Sequence, residues 1–194
     1  ATSEKTSQES LDENPDRPGL VDYVNTYEYG LDVRQSTMIG ESATFLQCQW
    51  NKRYWWGTWI GIGLGGTMES VELNENNNVT KASVIYGGFN IEQTIFRYST
   101  WLKSHLGVFV GQGKLFARYT PDSDAVEGSV NDLDIQVIEP YIMATVYNKW
   151  GLEWGASFAT RGITSSEKET VNGKTFSEGD YSGVELGISV RRGL

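Results

Sequence analysis

Residues 55–66 read WWGTWIGIGLGG, and their alternation decides the fold. Successive side chains of a β-strand point to opposite faces, so Ile60, Ile62 and Leu64 share one face and a row of glycines occupies the other. A soluble sandwich needs bulk on its inner face. A narrow closed barrel tolerates glycine inside, where long neighbouring side chains need room. The segment therefore predicts a barrel strand whose apolar face points outward.

Seven other segments alternate in the same way, at about residues 23–35, 42–50, 83–95, 102–118, 135–147, 151–163 and 181–192. The gaps after the second strand alternate in length. Short gaps lie near residues 51–53, 96–98 and 148–149, and long gaps lie near 67–81, 120–134 and 164–180. Transmembrane β-barrels show this alternation because one rim carries tight turns and the other carries loops. The sequence predicts an all-β fold, an eight-stranded antiparallel up-and-down transmembrane β-barrel with short periplasmic turns and long extracellular loops.

Composition agrees with one barrel domain in a chain of 194 residues. The formal net charge of -9 argues against a nucleic-acid partner, which would require a basic surface. The mean hydropathy of -0.39 is compatible with a barrel, since its strands are apolar on one face only. Residues 1–19 are polar and acidic, which predicts a disordered tail before a barrel domain at 20–194. The Ala1-Thr2-Ser3 start fits an exported precursor trimmed after a small-residue site.

The polar faces of the segments carry carboxylates, arginines and glycines but almost no lysine. A water-facing sheet would scatter lysine and both charge signs over its polar side. Charges in a narrow lumen must be paired, so this composition predicts an interior ion network. Its predicted members are Glu28, Asp32, Arg34, Glu92, His105, Glu139, Glu153, Arg161, Glu185 and Arg191.

Aromatic residues cluster near the ends of the segments, mostly beside the short gaps. An amphipathic ring is favoured between lipid and water, so this clustering predicts an interfacial girdle. The predicted girdle residues are Trp50, Tyr54, Trp55, Trp56, Trp101, Tyr147 and Trp150.

Signals for catalysis or metal binding are weak. Ser104 and His105 are adjacent on a strand and point to opposite faces, so they cannot form a nucleophile–base pair with each other. The segment Asp122-Ser123-Asp124 hints at a calcium loop but lacks the glycine and the distal glutamate that such a loop requires. We expect no catalytic residues, no metal and no cofactor. Pro140 removes a ladder hydrogen bond inside a strand, which predicts a β-bulge there.

Several glycine-rich stretches resemble a family of small outer-membrane β-barrel proteins from Bacteroidetes-type bacteria. They include Tyr86-Gly87-Gly88-Phe89, residues 106–113, Val137-Ile138-Glu139-Pro140 and residues 182–189. The resemblance covers about residues 82–192 and implies an outer-membrane location and a barrel fold, without an assigned activity. The chain departs from the usual aromatic last residue of such barrels, since it ends Arg191-Arg192-Gly193-Leu194.

Three functions remain open at this point. The first is a non-enzymatic, porin-like outer-membrane barrel that is a structural or accessory subunit of a larger assembly. Its partners would be the bilayer and other outer-membrane proteins, contacted through the loops or the tail. The second is a soluble lipocalin-like carrier of apolar ligands, with its apolar face inward. The third is a lipid-modifying outer-membrane enzyme with His105 as its base. The glycine-rich, lysine-poor polar face favours the first.

Overall fold

The computed structural model describes residues 27–54, 57–75, 78–98, 101–121, 130–148, 150–165, 169–171, 174–176 and 182–193. Three features considered above lie outside these ranges. They are the predicted tail at residues 1–19, the girdle residues Trp55 and Trp56, and the segment at residues 122–124.

The described residues form β-strands in the order that the alternation predicts. The strands are β1 Tyr27–Met38, β2 Glu41–Arg53, β3 Thr58–Thr67, β4 Val71–Glu75, β5 Asn78–Arg97, β6 Leu102–Pro121, β7 Val130–Tyr147, β8 Leu152–Ser165, β9 Glu169–Val171, β10 Lys174–Phe176 and β11 Gly183–Gly193. Three of them, β4, β9 and β10, fall within the predicted long gaps. The other eight match the predicted segments, with ends shifted by a few residues.

These eight strands close into a barrel. Hydrogen bonding runs β3-β2-β1-β11-β8-β7-β6-β5, and pairing between β5 and β3 completes the ring. Each pairing is antiparallel, and β1 meets β11 so that the first and last described strands are neighbours. β4 pairs only with the beginning of β5, and β9 and β10 form a separate hairpin. The predicted eight-stranded antiparallel barrel is confirmed.

The two rims of the barrel differ in their connections. The short-turn rim holds the connections after Arg53, Arg97 and Tyr147, together with the start of β1 and the end of β11. The long-loop rim holds the other connections. One of these connections is a tight turn of two residues, Ile39 and Gly40, which link β1 to β2. Their φ angles are 50° and 85°. Positive φ at both positions is the geometry of the two-residue hairpin turn whose backbone twist matches the right-handed twist of the flanking strands. Ile39 is a poor residue for this geometry, and burial of its side chain offsets the strain.

An apolar belt covers the outside of the barrel. On β7, for example, Ile138, Ile142 and Val146 are exposed while Glu139, Tyr141 and Thr145 between them are buried. The nine residues from 138 to 146 give a belt about 20 Å high at the usual rise and tilt of barrel strands. Polar groups border the belt at the long-loop rim, including the Lys114–Asp134 and Lys81–Glu72 ion pairs. The outer surface is therefore built for contact with hydrocarbon over a height close to that of a thin bilayer.

The predicted bulge at Pro140 is wrong. Ile138 pairs with Gly162 and Tyr141 pairs with Ala159, so the register between β7 and β8 is the same on both sides of the proline. The ladder omits the two positions between them instead of inserting a residue. Proline lacks a backbone N–H, and the loss of this one donor is accommodated by a local gap in the hydrogen bonding between β7 and β8. The irregularity in the described strands lies elsewhere, between Thr94 and Phe96 on β5.

Candidate functional site in the barrel lumen

The lumen contains a polar layer built from the residues that the sequence predicts for it. All ten have inward register positions, and none exposes more than 7% of its surface. The structure gathers them into two connected clusters, one near the short-turn rim and one at mid-height. The members are Glu28, Asp32, Arg34, Glu92, His105, Glu139, Glu153, Arg161, Glu185 and Arg191.

The cluster near the short-turn rim is centred on Arg191. Its guanidinium donates two hydrogen bonds to the Glu92 carboxylate, at 2.8 and 2.9 Å, and a third to Glu28 at 3.2 Å. The Tyr141 hydroxyl donates to Glu92 Oε2 at 2.7 Å. His105 Nδ1 lies 2.9 Å from Glu92 Oε1. These contacts join β1, β5, β6, β7 and β11, so the cluster ties strands across the lumen.

His105 also contacts a second carboxylate through its other nitrogen. Nε2 lies 2.9 Å from Thr145 Oγ1 and 3.3 Å from Glu153 Oε1, and the Thr145 hydroxyl donates to Glu153. Lys103 pairs with Glu153 at 3.2 Å. A hydroxyl, an imidazole and a carboxylate in sequence resemble a nucleophile–base set. However, His105 and Thr145 are both buried. Ser104, which precedes His105 on β6, has an outward register position.

The mid-height cluster is centred on Arg34. It pairs with Asp32 at 3.3 Å, Glu139 at 3.1 Å and Glu185 at 3.3 Å. Arg161 pairs with Glu185 at 2.6 Å, so two arginines share one carboxylate. Each of these charged groups is paired with an opposite charge, either on a neighbouring strand or on the same strand, as burial of a charge requires.

An apolar layer fills the lumen between the mid-height cluster and the long-loop rim. Its residues were not among the predicted lumen residues. The Arg161 guanidinium lies 3.4 Å from the centroid of the Phe45 ring, where the two layers meet. The signal available in the sequence was a reversal of the alternation at residues 133–138. Leu133, Ile135 and Val137 are buried and apolar, the polar residues between them are exposed, and the next apolar residue, Ile138, is exposed. The buried apolar residues of this layer include Met38, Phe45, Val84, Leu115, Val137 and Ile163.

The inward glycines make room for aromatic rings, as the glycine-rich face of β3 predicts. A Cβ at Gly65 would come within 2.7 Å of the Tyr86 ring, and a Cβ at Gly63 within 3.1 Å of Phe109. Tyr86 and Phe109 pack together with their ring centroids 5.6 Å apart. The lumen is therefore filled by rings at mid-height, and side chains rather than open space occupy its cross-section.

No protein-family model and no curated protein matches this sequence. Solved structures do match, at low identity. Neisserial surface protein A aligns with a TM-score of 0.59 and 10% identity over 87% of this chain and 96% of that chain. A major outer membrane protein from Thermus thermophilus aligns with 0.58 and 8%, covering 87% and 99%. The N-terminal β-barrel domain of Pseudomonas aeruginosa OprF aligns with 0.50 and 10%, covering 88% and 98%.

The chain has the fold of a small bacterial outer-membrane β-barrel. At identities this low the likeness concerns architecture alone, and the affinity to a Bacteroidetes family stays a prediction. None of the described residues forms a helix long and apolar enough to cross a membrane. Within the same ranges, no group of three or more His, Cys, Asp or Glu residues is arranged to hold a metal ion.

Exposed aromatic rings surround the short-turn rim of this outer-membrane-type barrel. Four of the predicted girdle residues, Trp50, Tyr54, Trp101 and Trp150, are exposed there. Tyr147 is exposed too, but it has an inward register position opposite Glu153, and the Lys103 ammonium lies 5.9 Å from its ring centroid. Tyr147 therefore borders the mouth of the lumen rather than the belt. Trp154 is also exposed, although it was not among the predicted girdle residues.

Proposed function

We propose that this chain is a non-enzymatic outer-membrane barrel with a closed lumen, serving as a structural or accessory subunit of a larger outer-membrane assembly. The observation that carries the proposal is the filled interior. Arg34, Arg161 and Arg191 lie fully buried in ion pairs across the lumen, and the apolar layer lies beyond them. The short turns would face the periplasm and the long loops the exterior.

The distribution of polarity supports membrane insertion over a soluble carrier. A carrier of apolar ligands needs an apolar interior and a polar exterior. Here the exterior carries Ile62, Leu64, Phe89 and Leu186, each at least half exposed, and the described interior contains ten buried ionisable side chains. Exposing such a continuous apolar belt to water would be strongly unfavourable, whereas lipid solvates it.

The position of His105 argues against lipid-modifying chemistry. An enzyme acting on a lipid needs its base beside the hydrocarbon surface or at an open cleft. His105 is enclosed between Glu92, Glu153 and Thr145 inside the barrel. A base within hydrogen-bond reach of its substrate is the first requirement of such a mechanism, and no lipid ester could reach this nitrogen.

Conductance measurements test the closed lumen. We expect the refolded protein to insert into planar bilayers without producing discrete current steps, because the ion network and the apolar layer block the cross-section. A porin inserted in the same bilayers is the control for detection, and heat-modifiable gel mobility verifies that the sample is folded. Reproducible steps from the unaltered protein would contradict a closed lumen.

The acidic long-loop rim is the expected contact surface for an assembly partner. Exposed carboxylates gather there, including Glu69, Glu72, Asp132 and Asp134. Purification of the tagged native protein in mild detergent should recover a stoichiometric partner that dissociates as salt is raised. A variant with these four carboxylates changed to amides should lose the partner, whereas Arg97→Gln at the other rim should keep it. Recovery of the barrel alone from native membranes would contradict the accessory role.

A further inference from the structure

A lysine lies between two tyrosine rings on the outer surface at the short-turn rim. Lys52 Nζ is 5.7 Å from the centroid of the Tyr27 ring and 5.7 Å from that of the Tyr54 ring. Within the described part of the chain, no carboxylate pairs with this ammonium. The rings hold the cation at the border of the apolar belt by cation–π attraction and leave its charge unneutralised.

An arginine lies two strands away from this lysine on the same surface. Arg192 is opposite Tyr29 in the β1–β11 ladder, and Tyr29 is opposite Trp50 in the β1–β2 ladder. The Tyr29 and Trp50 rings stack with centroids 6.4 Å apart. Two strand spacings separate Arg192 from Trp50, about 10 Å. The long side chains of Arg192 and Lys52 can therefore reach one anion held above the aromatic rings.

An apolar groove begins at the Tyr29 and Trp50 rings and runs away from the rim into the belt. Its volume is about 560 Å³, within the range of small-molecule sites. The floor is backbone at Gly63 and Gly87, and Gly87 leaves the space that a side chain would fill. The walls are Tyr29, Cys48, Trp50, Ile62, Leu64 and Phe89.

Charge on the outer surface is segregated between the rims. Among residues whose side chains are described, the exposed carboxylates lie at the long-loop rim: Glu41, Glu69, Glu72, Asp132 and Asp134. The outer side of the short-turn rim carries cations without such neighbours. Among the described residues, no exposed carboxylate lies beside Lys52 and Arg192 to repel an anion.

We propose that Lys52, Arg192 and this groove form a binding site for an anionic phospholipid. The phosphodiester would lie between the two cations, the glycerol esters against Tyr29 and Trp50, and one acyl chain in the groove over Gly87. Arginine and lysine bind phosphate, and aromatic rings favour the ester region of a bilayer. The site rests on the membrane placement proposed above and adds a specific lipid to it.

Native mass spectrometry of the folded barrel tests this site. The protein is inserted into vesicles of phosphatidylcholine containing phosphatidylglycerol, extracted in mild detergent and examined for retained lipid. We expect phosphatidylglycerol to be retained over phosphatidylcholine. Lys52→Gln and Arg192→Gln should each lower that retention about 5-fold, and together about 30-fold, since each charge contributes about 1 kcal/mol to binding an anionic surface.

Two further variants separate this site from general attraction to the rim. Arg97→Gln removes an exposed cation from the same rim at the end of β5, away from the groove, and should leave retention unchanged. Gly87→Phe places a ring in the groove. Its Cβ would meet the flexible end of Leu64, and the variant should lower retention of both lipids.

Loss of phosphatidylglycerol in Arg97→Gln equal to that in Lys52→Gln would overturn the site. So would equal retention of the two lipids by the unaltered protein. Failure to insert into pure phosphatidylcholine vesicles is a different result, because it would contradict membrane placement itself.

Discussion

Replacing Arg191 by Met is expected to lower the free energy of unfolding by about 3–5 kcal/mol, the usual cost of breaking a buried ion pair by removing one partner. Arg191 is buried and bonds both Glu92 and Glu28. Methionine has a similar length but no charge, so the variant leaves two carboxylates close together inside the barrel. Urea unfolding in phosphatidylcholine vesicles, followed by tryptophan fluorescence, measures the change.

A matched control lies one residue away. Arg192→Met removes an exposed arginine from the outer face of the same strand and should change the free energy of unfolding by less than about 0.5 kcal/mol. Adding Glu92→Met to Arg191→Met should recover part of the loss, because uncharged pairs in such positions are tolerated. Equal stability of the Arg191 and Arg192 variants would show that the network does not hold the barrel together.

The architecture could be predicted from the sequence because barrel strands encode it locally. Each strand alternates between lipid and lumen with a period of two, so the glycines and isoleucines of residues 60–65 reveal both faces without knowledge of any neighbour. The inward charges could be predicted for the same reason. Glu139 lies between Ile138 and Pro140, and its position on the polar face follows from alternation alone.

The partners of those charges could not be predicted, because they depend on long-range register. Arg191 meets Glu92, which is distant in sequence and lies on β5, and both strands contribute through side chains that cross the lumen. The apolar layer was missed for a related reason. Leu133, Ile135 and Val137 are inward and apolar while the polar residues between them are exposed, which is the reverse of the pattern from Ile138 onward. Alternation separates the two faces of a strand but does not tell which face points inward. The Pro140 bulge was wrong because the ladder omits a hydrogen bond without changing register.

Replacing Ile188 by Arg is expected to lower the free energy of unfolding in lipid by about 2–4 kcal/mol, the cost of a cation on the lipid face near the bilayer midplane. Ile188 is 64% exposed and is central in the outward apolar row of β11, between Leu186 and Val190. Val184→Arg is the control, since Val184 is equally outward but starts that row near the long-loop rim. Near the interface the cost falls to about 0–1 kcal/mol. A soluble barrel predicts no difference between the two positions, because an exposed apolar residue changed to arginine in water costs less than about 0.5 kcal/mol at either one. Equilibrium unfolding in vesicles distinguishes the two, and equal small effects at both positions would contradict membrane placement.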